Sequence, residues 1–345
     1  MRSIYGITIE ELEEYFLSIG EKKFKALQLY SWIYDKKVNS FEEMTDIKKD
    51  IISKLQEDFY LKKVELETKE EDELVNKYLF RLSDGNHVEG VLMRHDYGTS
   101  ICISSEVGCN MGCKFCESGR VKKIRELKAE EMTEQILLVE EDIKEKISHV
   151  VIMGIGEPFD NYENVTNFIK IINNPKGLAI GSRHITVSTC GIVPKIREFA
   201  KFPYQVNLAI SLHAPNDELR KKIMPIAKAY PLKELMDALK YYYKETNRRL
   251  TFEYIMLENV NDSKENALEL CKLLKDFNCY VNLIPYNETE NIEFKRSKKN
   301  NILEFYDIIK KNGMNVTIRK EFGTNISAAC GQLRTKREDL WKHFI

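Results

Sequence analysis

Four of the eight cysteines in this 345-residue chain fall within fifteen residues, in C-I-S-S-E-V-G-C-N-M-G-C-K-F-C from Cys102 to Cys116. Cys109, Cys113 and Cys116 follow the spacing C-x3-C-x2-C. Thiolates gathered in one loop bind metal or carry out redox chemistry. A structural zinc site draws four ligands, usually from two paired C-x2-C knuckles. No second knuckle is present: Cys190, Cys271, Cys279 and Cys330 stand apart in sequence. Three cysteines suit a [4Fe–4S] cluster in which one iron lacks a protein ligand. A small molecule can chelate that open iron through an amine and a carboxylate. Zinc, or three structural thiols at this spacing, are the alternatives.

Composition sets the setting for this chemistry. Hydrophobic residues make up 43% and charged residues 31%, enough for a sizeable core in one large α/β domain or two smaller ones. The opening M-R-S-I-Y-G-I-T-I-E-E-L holds no apolar run of the signal-peptide kind. No segment reaches the roughly 18 apolar residues of a membrane helix. A cytoplasmic protein with reduced thiols and no membrane partner is expected. The net charge of -1 shows none of the basic excess common in nucleic-acid binders. Basic clusters at Lys22, Lys23 and Lys25, at Lys122 and Lys123, at Arg248 and Arg249, and at Lys295–Lys299 and Arg334–Arg337 each read alone as solvated faces.

The elements that must position the thiols show in the periodicity. Thr8-Ile9-Glu10-Glu11 fits a capping box ahead of apolar Leu12, Tyr15, Phe16 and Ile19. A second helix is predicted over 23–35, with Leu27, Tyr30, Ile33 and Tyr34 on one stripe, and a third over 47–59. From Asn76 the pattern turns to short β runs, Y-L-F-R-L and H-V-E-G-V-L-M-R, around a turn at Asp84-Gly85-Asn86. After the cysteines six apolar strands alternate with helices: S-H-V-V-I-M-G, R-H-I-T-V-S-T, Q-V-N-L-A-I-S-L, L-T-F-E-Y-I-M-L, Y-V-N-L-I-P-Y and N-V-T-I-R-K. One intervening helix carries Met132, Ile136, Val139 and Ile143 on one side. Repeated βα units predict a parallel sheet, closed or half-closed into a barrel, with functional residues at the strand C-termini. Glu157, Ser188, His213 and Asn287 fall at such ends.

The cysteine spacing, with Phe115 before the last cysteine, resembles the radical S-adenosylmethionine (SAM) superfamily. M-G-I-G-E-P, 153–158, resembles that superfamily's contact for the cofactor's amino group; G-I-G lacks the third glycine of a dinucleotide fingerprint. H-I-T-V-S-T, A-I-S-L-H-A-P, V-N-L-I-P-Y-N, V-E-G-V-L-M-R and A-A-C-G-Q-L together resemble the RlmN/Cfr family of RNA adenine methyltransferases. The resemblance spans nearly the whole chain, K-F-K-A-L-Q-L-Y-S-W-I-Y included. It implies an α/β fold: a partial (βα)6 TIM-like radical SAM barrel over 98–345 ending in a carrier-cysteine segment. A small N-terminal helical accessory domain for RNA binding would occupy 1–60, and a β-rich connection 61–97.

The resemblance also implies roles. Cys109, Cys113 and Cys116 match the ligands of one [4Fe–4S] cluster, whose open iron holds S-adenosylmethionine, two molecules being used per turnover. Gly156, Glu157, Ser188, Ser211, Leu212, His213 and Asn287 match cofactor contacts. Cys330 matches a cysteine that is methylated first and then carries the methyl group. A deoxyadenosyl radical abstracts hydrogen from that methyl, which adds to an electron-poor adenine carbon. Glu89 matches the acceptor of the ring proton, and Cys102 the thiol that releases the product and leaves a disulfide. Cys190, Cys271 and Cys279 match no motif and read as structural.

RlmN-type members modify carbon 2 of an adenine in 23S rRNA, and many also modify tRNA beside the anticodon; Cfr-type members modify carbon 8 and confer antibiotic resistance. G-I-G-E-P, R-H-I-T-V-S-T and T-N-R-R-L-T-F-E-Y look like the RlmN type. The cysteine loop resembles the Cfr type, and Glu117 and Glu126 depart from both usual patterns. The expected partners are 23S rRNA, tRNA and an electron donor such as flavodoxin or ferredoxin, for a monomeric enzyme. Lys22, Lys23, Lys25, Arg248 and Arg249 are the candidate phosphate contacts. A zinc-stabilised RNA-binding module is the reading from another class.

Overall fold

The structure, a computed structural model, describes residues 1–289 and 291–319. Its frame is a ten-stranded sheet in which the strands lie side by side in chain order. Three antiparallel pairings come first, joining Glu65–Glu71, Val75–Arg81, His87–His95 and Gly98–Ile103. Every later pairing is parallel: Gly98–Ile103, His149–Ile152, Ile185–Thr189, Asn207–Ser211, Leu250–Met256, Cys279–Pro285 and Asn315–Ile318. Helices fill the crossovers, as parallel neighbours require. They are Ala129–Ile143, Tyr162–Asn173, Val193–Phe199, Leu232–Thr246, Lys264–Leu274 and Lys299–Lys311.

Six βα units and a final strand result, which is the expected partial barrel. The downstream alternation located six of the seven parallel strands. The first, Gly98–Ile103, lies ahead of the cysteines and was not among them. The sheet also continues without a break into the antiparallel strands between 65 and 95.

The N-terminal segment shares one hydrophobic core with the barrel. Thr8 caps Ile9–Ser18 through a complete capping box: its hydroxyl accepts from the Glu11 amide at 3.3 Å, and the Glu11 carboxylate accepts from the Thr8 amide at 2.8 Å. The second helix is not uniform. It is α-helical over Phe24–Tyr30 and widens to a π turn over Ser31–Asp35. Leu27, expected on the buried stripe, is 40% exposed. The buried series is Ala26, Leu29, Tyr30 and Ile33, the i, i+3, i+4, i+7 pattern of an amphipathic face, and Leu27 lies off it. The third helix, Lys49–Asp58, matches expectation within two residues.

Polar ties hold the segment in place. The Tyr30 hydroxyl donates to the Ile7 carbonyl at 2.7 Å, and Asn167 on Tyr162–Asn173 donates to the Gly6 carbonyl at 3.2 Å. Buried Glu134, on Ala129–Ile143, accepts from the Lys63 and Val64 amides at 2.8 Å each. On that helix Met132, Ile136 and Val139 are buried and Ile143 packs partly buried, as the periodicity requires.

Burial pushes the Glu134 carboxyl up to about 7 from an ordinary 4.5, against the pull of the two amides. A carboxyl raised on folding stabilises below 4.5 and loses that contribution as pH climbs through 7. Glu134→Gln keeps an acceptor for the amides and removes the charge. We expect this variant to match wild type in urea denaturation near pH 4. Near pH 8 it should exceed wild type by roughly 1–3 kcal/mol.

Candidate active site

The cysteine loop begins where Gly98–Ile103 ends. A two-residue antiparallel ladder, Glu106–Val107 against Arg125–Glu126, closes its base. Gly108 sits at φ +80°, and a Cβ there would lie 2.2 Å from the Lys122 carbonyl oxygen, so only glycine permits this closure. The Cys109 amide donates to Val121 at 2.9 Å, and the Lys114 amide donates to the Ile223 carbonyl at 2.9 Å, seating the loop on the helix Asp217–Ile223.

Cys109, Cys113 and Cys116 are half-buried, unbridged thiols. Burial pushes all three upward, Cys109 to about 12, and the Cys113 thiol is pushed further by Cys116 and then Cys109. Ionising Cys116 thus opposes ionising Cys109 and Cys113, and ionising Cys109 opposes ionising Cys113. A cationic centre removes that opposition, since a metal-bound thiol is deprotonated outright. Among the described residues no three cysteine, histidine or carboxylate side chains stand as a finished metal cage. The donor set nevertheless fits a thiolate-bound cluster in type and in mutual influence.

The other expected residues gather around the loop because parallel strands deliver them to one end. Gly156 follows His149–Ile152 at φ +110°, where a Cβ would meet the Glu106 side chain at 2.6 Å. Glu157 is buried, and its carboxylate accepts from the Phe159 amide at 3.0 Å and the Cys190 amide at 2.7 Å. It thus knots two strand ends together, and its own amide and carbonyl are engaged by Glu106 at 2.8 Å and the Asp160 amide at 3.0 Å. Ser188 is the penultimate residue of its strand and Ser211 the last of the next.

Leu212 and His213 both donate their amides to the Glu253 carbonyl, at 3.1 and 3.2 Å. His213 is buried at φ +57°, and its Nδ1 accepts from the Ile255 amide at 3.0 Å. Burial, then Arg220, drives its pKa down to about 3, so it stays neutral with its proton on Nε2. Its ring meets Phe115 edge-on at 4.9 Å, which ties the cysteine loop to this strand end. Asn287 lies exposed, two residues past Cys279–Pro285.

Cys102 and Glu89 occupy the inner face of the sheet beside this end. Lys77, Val91, Cys102 and Val151 face one another in a single row across four strands. Glu89 is one pleat along and forms a buried ion pair with Lys77 at 3.1 Å. Burial raises the Cys102 thiol; Arg319 and Lys77 pull it down, and Glu89 pushes it up. Below this row a cavity of about 890 Å³ opens, lined by Met93, Val151, Met153, Glu253 and Arg319 among others. Cys330 lies outside the described residues.

Residues 103–271 match the radical SAM superfamily, and residues 3–61 match the ribosomal RNA large subunit methyltransferase N-terminal domain. A "Probable dual-specificity RNA methyltransferase RlmN" of Thermoanaerobacter sp. (strain X514) is 53% identical over 97% of this chain and 98% of its own. A protein of the same description from Listeria welshimeri is 53% identical over 97% of this chain and 94% of its own. The chain belongs to the RlmN family. The crystal structure of a radical SAM methyltransferase from Sphaerobacter thermophilus superposes with a TM-score of 0.91 at 39% identity, covering 96% of this chain and 99% of that one.

Against that family background several residues stand out. Glu117 is buried beside Cys116, held by Arg120 at 3.0 Å, with its second oxygen buried and unpartnered among the described residues. Glu126 is exposed and only loosely paired to Lys123 at 3.6 Å. Cys190, Cys271 and Cys279 are buried, in keeping with packing roles. Arg248 and Arg249 immediately precede the strand Leu250–Met256 and line the same cavity as Met153 and Glu253.

Two residues that sequence reasoning passed over also belong to the site. Glu106, pushed up to about 7 by burial, accepts from the Glu157 amide at 2.8 Å and pairs with Lys123 at 3.1 Å. Asn261 donates to the His213 carbonyl at 2.9 Å and so fixes that turn. Glu106 lay within the cysteine stretch itself; nothing in its sequence context marked Asn261.

The Lys77–Glu89 pair has a measurable cost. Lys77→Met removes the cation beside a buried carboxylate and is expected to lower stability by roughly 3–5 kcal/mol in chemical denaturation. Adding Glu89→Leu should restore part of that loss, because no charge is then left behind.

Proposed function

We propose that this radical SAM RNA methyltransferase methylates carbon 2 of an adenine in 23S rRNA and also acts on tRNA. The observation that carries the reading is the placement of Cys102 and Glu89 on one inner face, at the strand end where the three-cysteine loop begins. The cluster and the S-adenosylmethionine it holds supply the methyl group and the one-electron chemistry. Cys109, Cys113 and Cys116 hold the cluster. Gly156 and Glu157, with Ser188, Ser211, Leu212, His213 and Asn287, are the residues that would hold and orient the cofactor.

Cys330 carries the methyl carbon to the adenine. Glu89 takes the ring proton. This role is coupled to Lys77, because a protonated Glu89 would deprive that buried ammonium of its counter-charge. Cys102 then attacks the carrier sulfur. The sulfur–sulfur bond forms as the sulfur–carbon bond breaks, and the electron pair stays on the methyl carbon, which takes a proton. The thiolate is the attacking form, and Arg319 and Lys77 favour it.

The helical region 1–60 would contact RNA; Lys22, Lys23 and Phe24 are exposed there. The carbon-8 alternative draws only on the loop residues, whereas the match to RlmN relatives covers 97% of the chain. A flavodoxin or ferredoxin fits as electron donor to a monomeric, cytoplasmic enzyme. Among the described residues no helix is long and apolar enough to cross a membrane.

Nucleoside mass spectrometry tests the reading. Anaerobically reconstituted protein, a reductant, methyl-deuterated S-adenosylmethionine and unmodified ribosomal or transfer RNA should yield labelled 2-methyladenosine. Cys330→Ala should abolish it while iron content stays normal. Cys113→Ala should lose both iron and product. Labelled 8-methyladenosine instead would move the chain to the other regiochemistry.

A further inference from the structure

Arg220 heads the fully buried large side chains of the described residues, with 0% exposure. Its guanidinium donates to neutral main-chain oxygens alone: Leu212 at 3.2 Å, Cys190 at 2.6 Å and Ser211 at 3.4 Å. Nη1 is buried with no hydrogen-bond partner, and among the described residues the hydrogen bonds of the group reach no carboxylate. A cation in this position loses its water and gains only partial charges in return.

The surroundings show where the missing charge belongs. Arg220 lies on Asp217–Ile223, whose last carbonyl accepts the amide of Lys114, next to Cys113. Met111, Cys113 and Phe115 pack in one cluster with Leu219, Ile223 and Cys190. Burial lowers the Arg220 pKa, and Cys190, Cys113 and then Asp217 oppose that when they are ionised.

We propose that Arg220 is the built-in counter-ion of the iron–sulfur cluster, favouring its reduced state. The inference rests on the reading of Cys109, Cys113 and Cys116 as cluster ligands. Three thiolates on a dicationic core leave a net anion, and one electron deepens that charge. A fixed cation beside one ligand, in a low-dielectric setting, stabilises the more negative form. Arg220 thereby acts through Cys113 as a positioning and tuning residue, without touching substrate.

The test is a mediated redox titration of anaerobically reconstituted full-length protein without S-adenosylmethionine, read by the paramagnetic signal of the reduced cluster. At one fixed potential the reduced-to-oxidised ratio should fall about tenfold in R220M and R220Q, equivalent to about 59 mV for one electron, and stay within about threefold of wild type in R220K. R220Q keeps an amide donor for the strand-end carbonyls and serves if R220M does not fold. A folded neutral variant that takes up no iron, where R220K does, also supports the counter-ion role. Loaded neutral variants with an unchanged ratio overturn it. Wild-type protein that takes up no iron would overturn the ligand reading itself, and this inference with it.

Discussion

Three thiols confined to one half-buried loop cannot all ionise unless something positive joins them, and much of the surrounding structure answers that constraint. The loop is pinched shut at Gly108, seated on Ile223 and braced by Phe115 against His213. Buried carboxylates there pair with more exposed cations, Glu106 with Lys123 and Glu117 with Arg120, and the buried Arg220 lies on the helix that seats the loop. Such an arrangement is costly when dry and is tolerated where the charges serve a bound group. The site is therefore an electrostatic enclosure as much as a set of ligands.

The sheet makes the enclosure possible. Parallel strands set in chain order send every following loop to the same end, so Gly156, Ser211, His213 and the cysteines meet there although up to a hundred residues apart in sequence. The antiparallel strands at the start of the sheet add a second chemistry to its inner face. Lys77 and Glu89 come from strands that belong to no βα unit, yet Lys77 shares a row with Cys102, which does, and Glu89 lies one pleat along.

Much of this was legible in the sequence, for identifiable reasons. The βα alternation showed because buried parallel strands are apolar runs, and the helix Ala129–Ile143 showed because its buried residues keep helical spacing. The cysteine loop was visible because metal chemistry constrains spacing. Less was visible where tertiary packing decides. Leu27 lies off the stripe that the spacing put it on, and the π turn after Tyr30 left no mark in the spacing. Arg220 is fourth in D-E-L-R-K-K, a run rich in charge, and only the fold reveals that this position points inward. The Lys77–Glu89 pair needed the strand register, which single-sequence reasoning does not supply.

The central position of Gly98–Ile103 has a mechanical consequence. Cys102 is laddered to Val91 on one side and to Val151 on the other, so its main chain has no freedom that the whole sheet does not share. It is an anvil. Any second sulfur that bonds to it must make the whole journey.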